Sequence, residues 1–597
     1  MNERFLVVMT FVLGLSCSGL IAPAPSLFAA SVSDNGPRPN IVLIMADDQG
    51  WGDLRCHGND IIQTPNLDAL AEQSVQFDRF FVSPVCAPTR ASLLTGRFDV
   101  RTGVSGVTNR LEVMRAEEVT MGEVFRAAGY RTACIGKWHN GEQFPNHPTG
   151  QGFEHFFGFC GGHWNNYFDT TLEDNGRRVK TSGYITDILT DAAIDFVTRS
   201  SDKPFLCYVP YNAPHTPWQV PDKWFDQYAG KGLDAATQSA YAMVTNIDHN
   251  VGRLLKAIEQ QRSRTIVLFL TDNGPNGNRY NGNMRGVKGS VHEGGVRVPL
   301  FVSWPGTLPP KRVEQIAAHV DLLPTLAELC GVKLSVADNR PLDGRSLVPL
   351  LKGSVTEDQW PDRMIYTHRS RGTSTPFGAV RTQQYRFVRE RQDQLYDMVA
   401  DPDQKTDISQ TKPDAFRRLQ AAFDRYVQET NASIAKIEPI PVGFPESPQV
   451  ELPAVEAMLS PGVRFFEGHG WAHDWAVDFD QQGDELSWPL KVHTPGSYRL
   501  ILRYACDSSG VGAKLQVEAG EQSGKVVVSD EFNSPLRDRS ERSDSKGLRS
   551  VRDFADLEAG TYHLNAGDVS LTLRHQSDRS QPLEIDSASL VKVSDDR

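Results

Sequence analysis

Residues 40–50 of this 597-residue chain read NIVLIMADDQG, an apolar run that ends in two aspartates, a glutamine and a glycine. The run shows no alternation of polar and apolar residues, which is typical of a strand buried on both faces of a sheet. Thr64 and Pro65 follow as an N-cap and a first-turn proline, and the next apolar residues recur at helical spacing. The sequence therefore predicts a strand, a polar loop and a helix in that order.

The same order recurs along the first half of the chain. Apolar runs end in polar motifs three more times: residues 132–135 before GKWH (136–139), residues 205–209 before APH (213–215), and residues 265–270 before TDNG (271–274). Alternating strands and helices predict an α/β fold with a mostly parallel central sheet flanked by helices. Ligands of such sheets bind beyond the carboxyl ends of the strands, so we expect these polar motifs to meet there.

In the rest of the chain the pattern of apolar residues, glycines and prolines changes twice. Short apolar runs and an amphipathic helix over residues 412–430 predict a small antiparallel subdomain, residues 363–436, after a main α/β domain, residues 38–362. Residues 437–453 carry five prolines and are typical of an extended linker. Residues 454–597 show short alternating runs between Gly and Pro turns, which favour a β-sandwich and resemble jelly-roll carbohydrate-binding modules.

The start of the chain resembles a secretory signal peptide. Residues 6–22 are apolar and residues 29–31 are small, so residues 1–30 predict export to the periplasm or out of the cell. A lipid anchor at Cys17 is a weaker alternative because Gly14-Leu15-Ser16 makes a poor lipoprotein box. A membrane span is also weaker, because glycines and serines interrupt the run. No later segment predicts a membrane span, and the formal net charge of −12 argues against nucleic acid as a partner.

Two pairs of oxygen-bearing side chains follow two of the predicted strands. Asp47 and Asp48 follow the first strand, and Asp272 and Asn273 follow the run at 265–270. Carboxylate and amide oxygens suit calcium or magnesium better than zinc. The sequence therefore predicts one Ca²⁺ ion that bridges the two loops, although turn or helix-cap roles are the alternative for each pair alone.

The segment Cys86-Ala87-Pro88-Thr89-Arg90 resembles the signature of type I sulfatases. Three ordered motifs support the resemblance: GKWH at 136–139, APHTP at 213–217 and GVKG at 286–289. Over residues 38–430 the chain is thus identified as similar to formylglycine-dependent, arylsulfatase-like enzymes of the alkaline phosphatase superfamily. The resemblance implies that a formylglycine-generating enzyme oxidises Cys86 to formylglycine, whose hydrated form is the nucleophile and a further metal ligand.

The resemblance also implies roles for the charged residues around that nucleophile. Arg90 is expected to hold the hydrated aldehyde through its fork of donors, and Asp272 to accept a proton from the attacking hydroxyl. Lys137 and Lys288 are expected to stabilise negative charge on the sulfuryl oxygens together with the metal.

Two histidines complete the implied proton transfers. His215, with Lys288 as an alternative or additional donor, is expected to protonate the departing alcohol. His139 is expected to take the proton of the second hydroxyl, which expels sulfate and regenerates the aldehyde.

Two loops supply candidate substrate contacts, with ordinary loop packing as the alternative. An aromatic platform and paired guanidiniums suit a sugar that bears anions. The candidate residues are His163, Trp164, Arg369 and Arg371.

The sequence favours hydrolysis of sulfate monoesters on a sulfated small molecule or polysaccharide, most of all a carbohydrate. The alternatives are a phosphoester or phosphonate hydrolase of the same superfamily and a non-catalytic polysaccharide-binding protein. For residues 454–597, a polymer-binding module and a structural buttress are equally open.

Overall fold

A computed structural model describes residues 37–334, 340–356, 358–369, 377–430, 437–536 and 551–593. The predicted signal peptide and Arg371 lie outside the described residues. Among the residues described, no helix combines the length and the apolar character that crossing a membrane requires.

The first half of the chain forms a ten-stranded mixed sheet and a separate three-stranded sheet. The strands of this part are β1 (Asn40–Ala46), β2 (Val75–Phe77), β3 (Phe80–Phe81), β4 (Arg131–Lys137), β5 (His155–Phe159), β6 (Thr171–Asp174), β7 (Arg177–Lys180), β8 (Phe205–Pro210), β9 (Thr265–Thr271), β10 (Arg297–Val298), β11 (Leu300–Ser303), β12 (Lys311–Val313) and β13 (Ala317–Ala318). The large sheet has the order β12-β2-β11-β9-β1-β8-β4-β5-β6-β7, and β3 lies between β10 and β13 in the small one.

The predicted parallel sheet is confirmed for its centre. β9, β1, β8, β4 and β5 are neighbours and run parallel. The edges differ, because β11 pairs antiparallel with β9 and β6 pairs antiparallel with β5. A short apolar run does not carry the direction of its strand, so the sequence alone could not predict these edges.

Helices cover both faces of the large sheet. They are α1 (Pro65–Glu72), α2 (Cys86–Thr95), α3 (Met121–Ala127), α4 (Ile185–Thr198), α5 (Asp222–Phe225), α6 (Ala235–Ala257), α7 (Glu293–Val296), α8 (Leu322–Leu329) and α9 (Val348–Lys352). Alternate residues of β1 enter two cores: Leu43 packs in the core that includes residues of α2, α3 and α8, and Ile44 packs in the core that includes residues of α1, α4 and α6. Burial on both faces explains why residues 40–46 lack polar alternation.

The predicted small antiparallel sheet is confirmed. It contains β14 (Ile365–Arg369), β15 (Phe377–Arg381), β16 (Tyr385–Arg389) and β17 (Asp393–Asp397) in sequential order. The predicted amphipathic helix is α10 (Pro413–Thr430), and it buries Leu419 and Phe423 in a core shared with Val380 and Phe387 of this sheet.

The remainder forms two six-stranded sheets that share one core, which confirms the predicted sandwich. Its strands are β18 (Ile440–Val442), β19 (Gln449–Pro453), β20 (Met458–Leu459), β21 (Arg464–Phe465), β22 (Ala476–Phe479), β23 (Glu485–Val492), β24 (Gly496–Ala505), β25 (Lys514–Ala519), β26 (Gln522–Val527), β27 (Ala555–Leu564), β28 (Gly567–His575) and β29 (Leu583–Lys592). One sheet has the order β18-β23-β28-β25-β26, with β20 beside β23. The other has the order β21-β22-β29-β24-β27, with β19 beside β29.

The prediction of an extended linker over residues 437–453 is wrong for Ile440–Val442 and Gln449–Pro453, which are strands. β18 pairs with β23, and β19 pairs with β29, so the segment supplies a strand to each sheet. Proline is tolerated on edge strands and at strand ends. Pro441 lies in β18 and Pro453 ends β19, whereas the other three prolines lie just before or between these two strands.

Candidate active site

The polar motifs meet at the carboxyl ends of β9, β1 and β4, as the strand pattern predicts. Asp47 and Asp48 follow β1, Asp272 follows β9, and Lys137 is the last residue of β4. Cys86 lies beside them as the first residue of α2. All five side chains are buried. The sheet therefore gathers the predicted charged residues and the predicted nucleophile precursor in one place.

Hydrogen bonds tie the loops after β1 and β9 together. The Asp48 amide donates to Asp272 Oδ1 at 3.1 Å, and Asn273 Nδ2 donates to Asp48 Oδ1 at 2.9 Å. Asp48 has a left-handed backbone with φ of +63°. Aspartate adopts this conformation more readily than most residues. These contacts fix the two predicted oxygen-bearing loops relative to each other.

Three buried oxygen atoms of the predicted metal ligands have no hydrogen-bond partner among the described residues: Asp47 Oδ1, Asp48 Oδ2 and Asn273 Oδ1. Buried polar atoms are nearly always satisfied in folded proteins, so this group indicates a missing partner that accepts oxygen ligands. Ligand atoms of Asp47, Asp48, Cys86 and His215 all lie within 4.8 Å of one another. The residues present thus fit a hard divalent cation.

Cations surround the same carboxylates. Lys137 contacts Asp47 directly, and Lys288 Nζ lies 2.6 Å from Asp48 Oδ1. Although burial alone would raise it, the pKa of Asp47 is held well below its ordinary value, chiefly by Lys137, His215 and Arg90. Asp47 is therefore ionised in the folded protein, as a metal ligand must be.

Arg90 connects α2, the helix that begins at Cys86, to the ends of β4 and β9. One turn into α2, its Nη2 donates to Asp272 Oδ2 at 2.9 Å, and its Nη1 donates to the Lys137 carbonyl at 2.7 Å. Burial, followed by the charge of Asp47, raises the pKa of Asp272 to about 7. A carboxyl with a pKa near neutrality can exchange a proton there, which is the chemistry expected of Asp272.

The Cys86 thiol is a poor nucleophile in its unmodified form. Burial, followed by the charge of Asp47, raises its pKa to about 12. The thiolate is the reactive form of cysteine, and at this pKa almost none is present near neutral pH. A reaction at this position is therefore better served by a chemically modified Cys86 than by the thiol.

His215 lies on the open side of the carboxylates. Its Nδ1 lies 2.6 Å from the Thr216 carbonyl, which assigns the hydrogen to Nδ1, and its Nε2 lies 3.6 Å from Asp48 Oδ2. Burial, followed by the charge of Lys288, lowers the pKa of His215 to about 4. Burial lowers the pKa of Lys288, but the charges of Asp48, Cys86 and Asp47 together raise it above its ordinary value, so Lys288 holds a proton beside the same carboxylate.

His139 is placed as a neutral base. Its Nε2 lies 3.0 Å from the Val107 carbonyl, which assigns the hydrogen to Nε2, and Nδ1 has no partner among the described residues. Burial, followed by the charge of Lys137, holds the pKa of His139 well below its ordinary value. A bare Nδ1 is able to accept a proton, the role that the motif implies.

The candidate substrate loops lie beside His215 and Lys288. The His163 ring stacks on the His215 ring at 5.9 Å and 3°, and an added Cβ at Gly289 would lie 2.3 Å from Arg369 Nη1. Trp164 packs on Phe159 and donates from Nε1 to Thr170 Oγ1, so it is held by its own loop and strand.

Sequence analysis missed two aromatic residues of the sandwich. The Trp471 ring lies 6.1 Å from the His163 ring, and the His473 ring lies 4.2 Å from the Trp164 ring. The available signal was the run His469-Gly470-Trp471-Ala472-His473, which concentrates aromatic side chains in a glycine-containing loop.

Comparisons with known proteins agree on one family. Residues 39–332 match the family model for sulfatases, and residues 287–432 match the model for the C-terminal part of N-sulphoglucosamine sulphohydrolase. The N-acetylgalactosamine-6-sulfatase of Canis lupus familiaris is 33% identical over 374 residues, 55% of this chain and 68% of that protein. Human arylsulfatase A is 35% identical over 364 residues, 53% of this chain and 68% of that protein.

Solved structures extend the comparison to the fold. The crystal structure of Ps i-CgsB in complex with k-i-k-neocarrahexaose is 30% identical, has a TM-score of 0.62, and covers 67% of this chain and 94% of its own. A phosphonate monoester hydrolase of Agrobacterium radiobacter shares the fold at 19% identity and a TM-score of 0.52, over 66% of this chain and 96% of its own. β18–β29 lie beyond both family models.

Proposed function

The chain belongs to the sulfatase family and is a sulfuric ester hydrolase, and from this premise we propose that its substrate is a sulfated carbohydrate. We propose further that it acts through formylglycine made from Cys86 by a formylglycine-generating enzyme, with one bound Ca²⁺ ion. The observation that carries this proposal is the buried group of unpartnered oxygens from Asp47, Asp48 and Asn273 beside Cys86.

The donor set supports calcium. Ca²⁺ takes six to eight oxygen ligands in flexible geometry, whereas Mg²⁺ keeps several waters and uses one or two carboxylates. Asp47, Asp48, Asp272 and Asn273 offer carboxylate and amide oxygens from two loops in a buried position. A modified Cys86 at the start of α2 would add a further ligand from a third direction.

The residues of the site bind charge and hold protons in fixed places. Formylglycine supplies a hydrated aldehyde as nucleophile, and a bound divalent cation neutralises charge on the sulfate oxygens. Lys137 and Lys288 add fixed positive charge on the Asp47 and Asp48 sides. Arg90 orients Asp272, and the ionised Asp272 carboxylate can accept a proton from the attacking hydroxyl.

The proton donor for the leaving oxygen lies on the side of His215 and Lys288. Both contact Asp48, at 3.6 Å and 2.6 Å. Lys288 already holds a proton, whereas neutral His215 must first take one on Nε2 before it can donate to the leaving oxygen. His139, with its bare Nδ1, accepts a proton when the nucleophile is reset.

The carbohydrate substrate is supported by the rim of the site and by the relatives. The rim offers rings from His163 and Trp471 and a guanidinium from Arg369 beside Gly289. Aromatic faces with a few charged groups suit a polar ring that bears anions. Ps i-CgsB, with 30% identity, was solved in complex with k-i-k-neocarrahexaose.

Mass spectrometry and metal removal test the proposal. The peptide that contains residue 86 should carry formylglycine in active enzyme, and Cys86→Ala should abolish desulfation of neocarrahexaose and of 4-nitrophenyl sulfate. Chelation should remove activity, and Ca²⁺ should restore it in the wild type but not in Asp48→Asn. Asp60→Asn, which changes an exposed aspartate, is the matched control. Full activity with unmodified Cys86 would show that the proposed nucleophile is wrong.

A further inference from the structure

One loop of the sandwich reaches the rim of the active site. This loop, residues 466–475, connects β21 and β22. The His473 ring meets the Trp164 ring edge to face at 4.2 Å and 86°. The Trp471 ring meets the His163 ring at 6.1 Å and 84°. The loop therefore belongs to the sandwich by sequence and to the active-site rim by position.

The loop has a fixed conformation. The buried Asp474 carboxylate accepts hydrogen bonds from the amides of Glu467 at 3.1 Å, Gly470 at 3.2 Å and Trp475 at 3.0 Å. The Asp474 amide in turn donates to the Trp471 carbonyl at 3.0 Å. A loop held by one carboxylate in this way loses little conformational freedom when a ligand binds. Trp471 is thus presented in a prearranged position.

Trp471 lies on the leaving-group side of the site. The proton for the leaving oxygen comes from the side of His215 and Lys288, and the His163 ring stacks on His215. Trp471 contacts His163 next, so two ring contacts lead from the proton donor to the sandwich. A saccharide bound with its ester oxygen at this proton donor has Trp471 within reach of its sugar rings.

Part of the Trp471 ring remains open to solvent. The residue is 36% exposed, which is a large fraction for tryptophan, and its ring stacks on exposed His469 at 4.8 Å and 22°. A ring that served packing alone would bury more of its apolar surface. The exposed faces of Trp471 and His469 instead extend the rim beyond the catalytic domain.

We propose that Trp471 and His469 form a sugar-binding subsite that the sandwich adds to the active site. The inference rests on the proposed carbohydrate substrate, and the occupant is a sugar residue on the leaving-group side of the scissile sulfate. The apolar C–H face of a sugar ring stacks on an aromatic face, while its hydroxyls stay available to water and to polar neighbours. The sandwich is then a working part of the substrate site and not a separately tethered module.

Steady-state kinetics of the full chain test this subsite. We compare Trp471→Ala and Trp471→Phe on neocarra-oligosaccharides, sulfated N-acetylgalactosamine oligosaccharides and 4-nitrophenyl sulfate. For the saccharide that the wild type desulfates fastest, Trp471→Ala should lose about tenfold more kcat/KM than for 4-nitrophenyl sulfate, mainly through a higher KM. Trp471→Phe should restore most of the loss, because it keeps an aromatic face.

Val527→Ala is the matched control, since Val527 is an exposed apolar residue of the same sandwich, 51% accessible, on β26. It should change neither activity, and thermal unfolding of each variant should show an intact fold. Equal losses of Trp471→Ala on saccharide and on nitrophenyl sulfate, or no loss on either, overturn the subsite while leaving the proposed function intact. A wild type that hydrolyses nitrophenyl sulfate but none of the saccharides overturns both the carbohydrate substrate and the subsite.

Discussion

His215 and Lys288 both contact the Asp48 carboxylate, so each is a candidate proton donor for the leaving oxygen. Substrates with different leaving groups can distinguish the two roles. His215 carries its hydrogen on Nδ1, bonded to the Thr216 carbonyl, while Lys288 holds a proton 2.6 Å from Asp48 Oδ1. The residue that protonates the leaving oxygen matters most when the leaving alcohol is a weak acid. An activated phenolate leaves without that help.

His215 can act as the donor once Nε2, the nitrogen that faces Asp48, has taken a proton. In that role, His215→Ala should slow a sugar sulfate about 100-fold more than 4-nitrophenyl sulfate. The same pair of substrates applied to Lys288→Ala measures how far Lys288 serves as the donor. The measurement is kcat/KM on both substrates for each variant and the wild type. If His215→Ala loses the same factor on both substrates, His215 is not the donor and acts in binding instead.

Asp99 offers a second residue-scale prediction, in stability rather than catalysis. It is buried, accepts a hydrogen bond from Ser83 Oγ at 3.1 Å, and burial raises its pKa from 3.8 to about 7. Between these two pH values the folded chain keeps a proton that the unfolded chain has lost. The free energy of unfolding therefore falls as pH rises through this range.

Asp99→Asn has no such proton to lose. Its free energy of unfolding relative to wild type should rise by up to about 4 kcal/mol between pH 4 and pH 7. Denaturant unfolding at several pH values measures this difference, and Asp60→Asn controls for the loss of a solvent-exposed carboxylate. A difference that stays constant with pH would contradict the raised pKa of Asp99.

At the scale of elements, the end of β4 depends on one glycine. Gly136 has φ of +137°, and a Cβ added there would lie 2.1 Å from the Pro210 carbonyl of β8. β4 pairs with β8 over Arg131–Cys134, and the close approach at Gly136 keeps the two strands in contact just before Lys137 and His139. A side chain at residue 136 would separate the strands and move both residues.

Gly136→Ala should lower the free energy of unfolding and the activity together. The matched control is Gly176→Ala, which also has positive φ, +85°, but open space around the added Cβ. Both variants carry left-handed strain of about 1–2 kcal/mol, and Gly136→Ala should cost a further ~1–3 kcal/mol from overlap. Chemical denaturation and hydrolysis of nitrophenyl sulfate measure the two effects. Equal destabilisation by the two variants would show that β4 and β8 adjust without cost.

The same strands show which parts of the fold and the site can be predicted from the sequence. Asp47, Asp272 and Lys137 could be placed together because each follows or ends a buried strand, and parallel strands present their carboxyl ends at one edge. Cys86 and Arg90 could be joined to them through a local motif. The antiparallel partner of β9 could not be predicted, since residue pattern is local and strand direction depends on contacts across the sheet.

The position of Trp471 could not be predicted from the sequence at all. Its contact with His163 depends on how the sandwich docks on the α/β part, and no local pattern encodes docking between distant segments. The linker prediction failed for a related reason, because prolines at the edges of β18 and β19 resemble those of a spacer until the partner strands are known.

Two ion pairs that differ in solvent exposure connect the sandwich to the α/β part. Arg110 Nη1 lies 3.0 Å from Glu456 Oε2, with side chains only 3% and 5% exposed. Arg178 Nη2 lies 2.5 Å from Glu451 Oε1, with side chains 56% and 35% exposed. The buried pair lies among further carboxyls: burial, followed by the charge of Glu456, raises the pKa of Glu112 to about 7.

Arg110 is therefore the cation on which docking depends. Arg110→Met leaves the buried Glu456 carboxylate with the Gln143 amide but without a cation. This should cost about 3–5 kcal/mol, whereas Arg178→Met should cost under about 1 kcal/mol because its pair is screened by water. Thermal unfolding compares the two variants directly. Displacement of the sandwich should also carry Trp471 away from His163, so Arg110→Met should lose more activity on a sulfated saccharide than on nitrophenyl sulfate. Equal, small effects of the two variants would mean that apolar contacts such as that between Phe144 and Phe444 suffice to hold the sandwich in place.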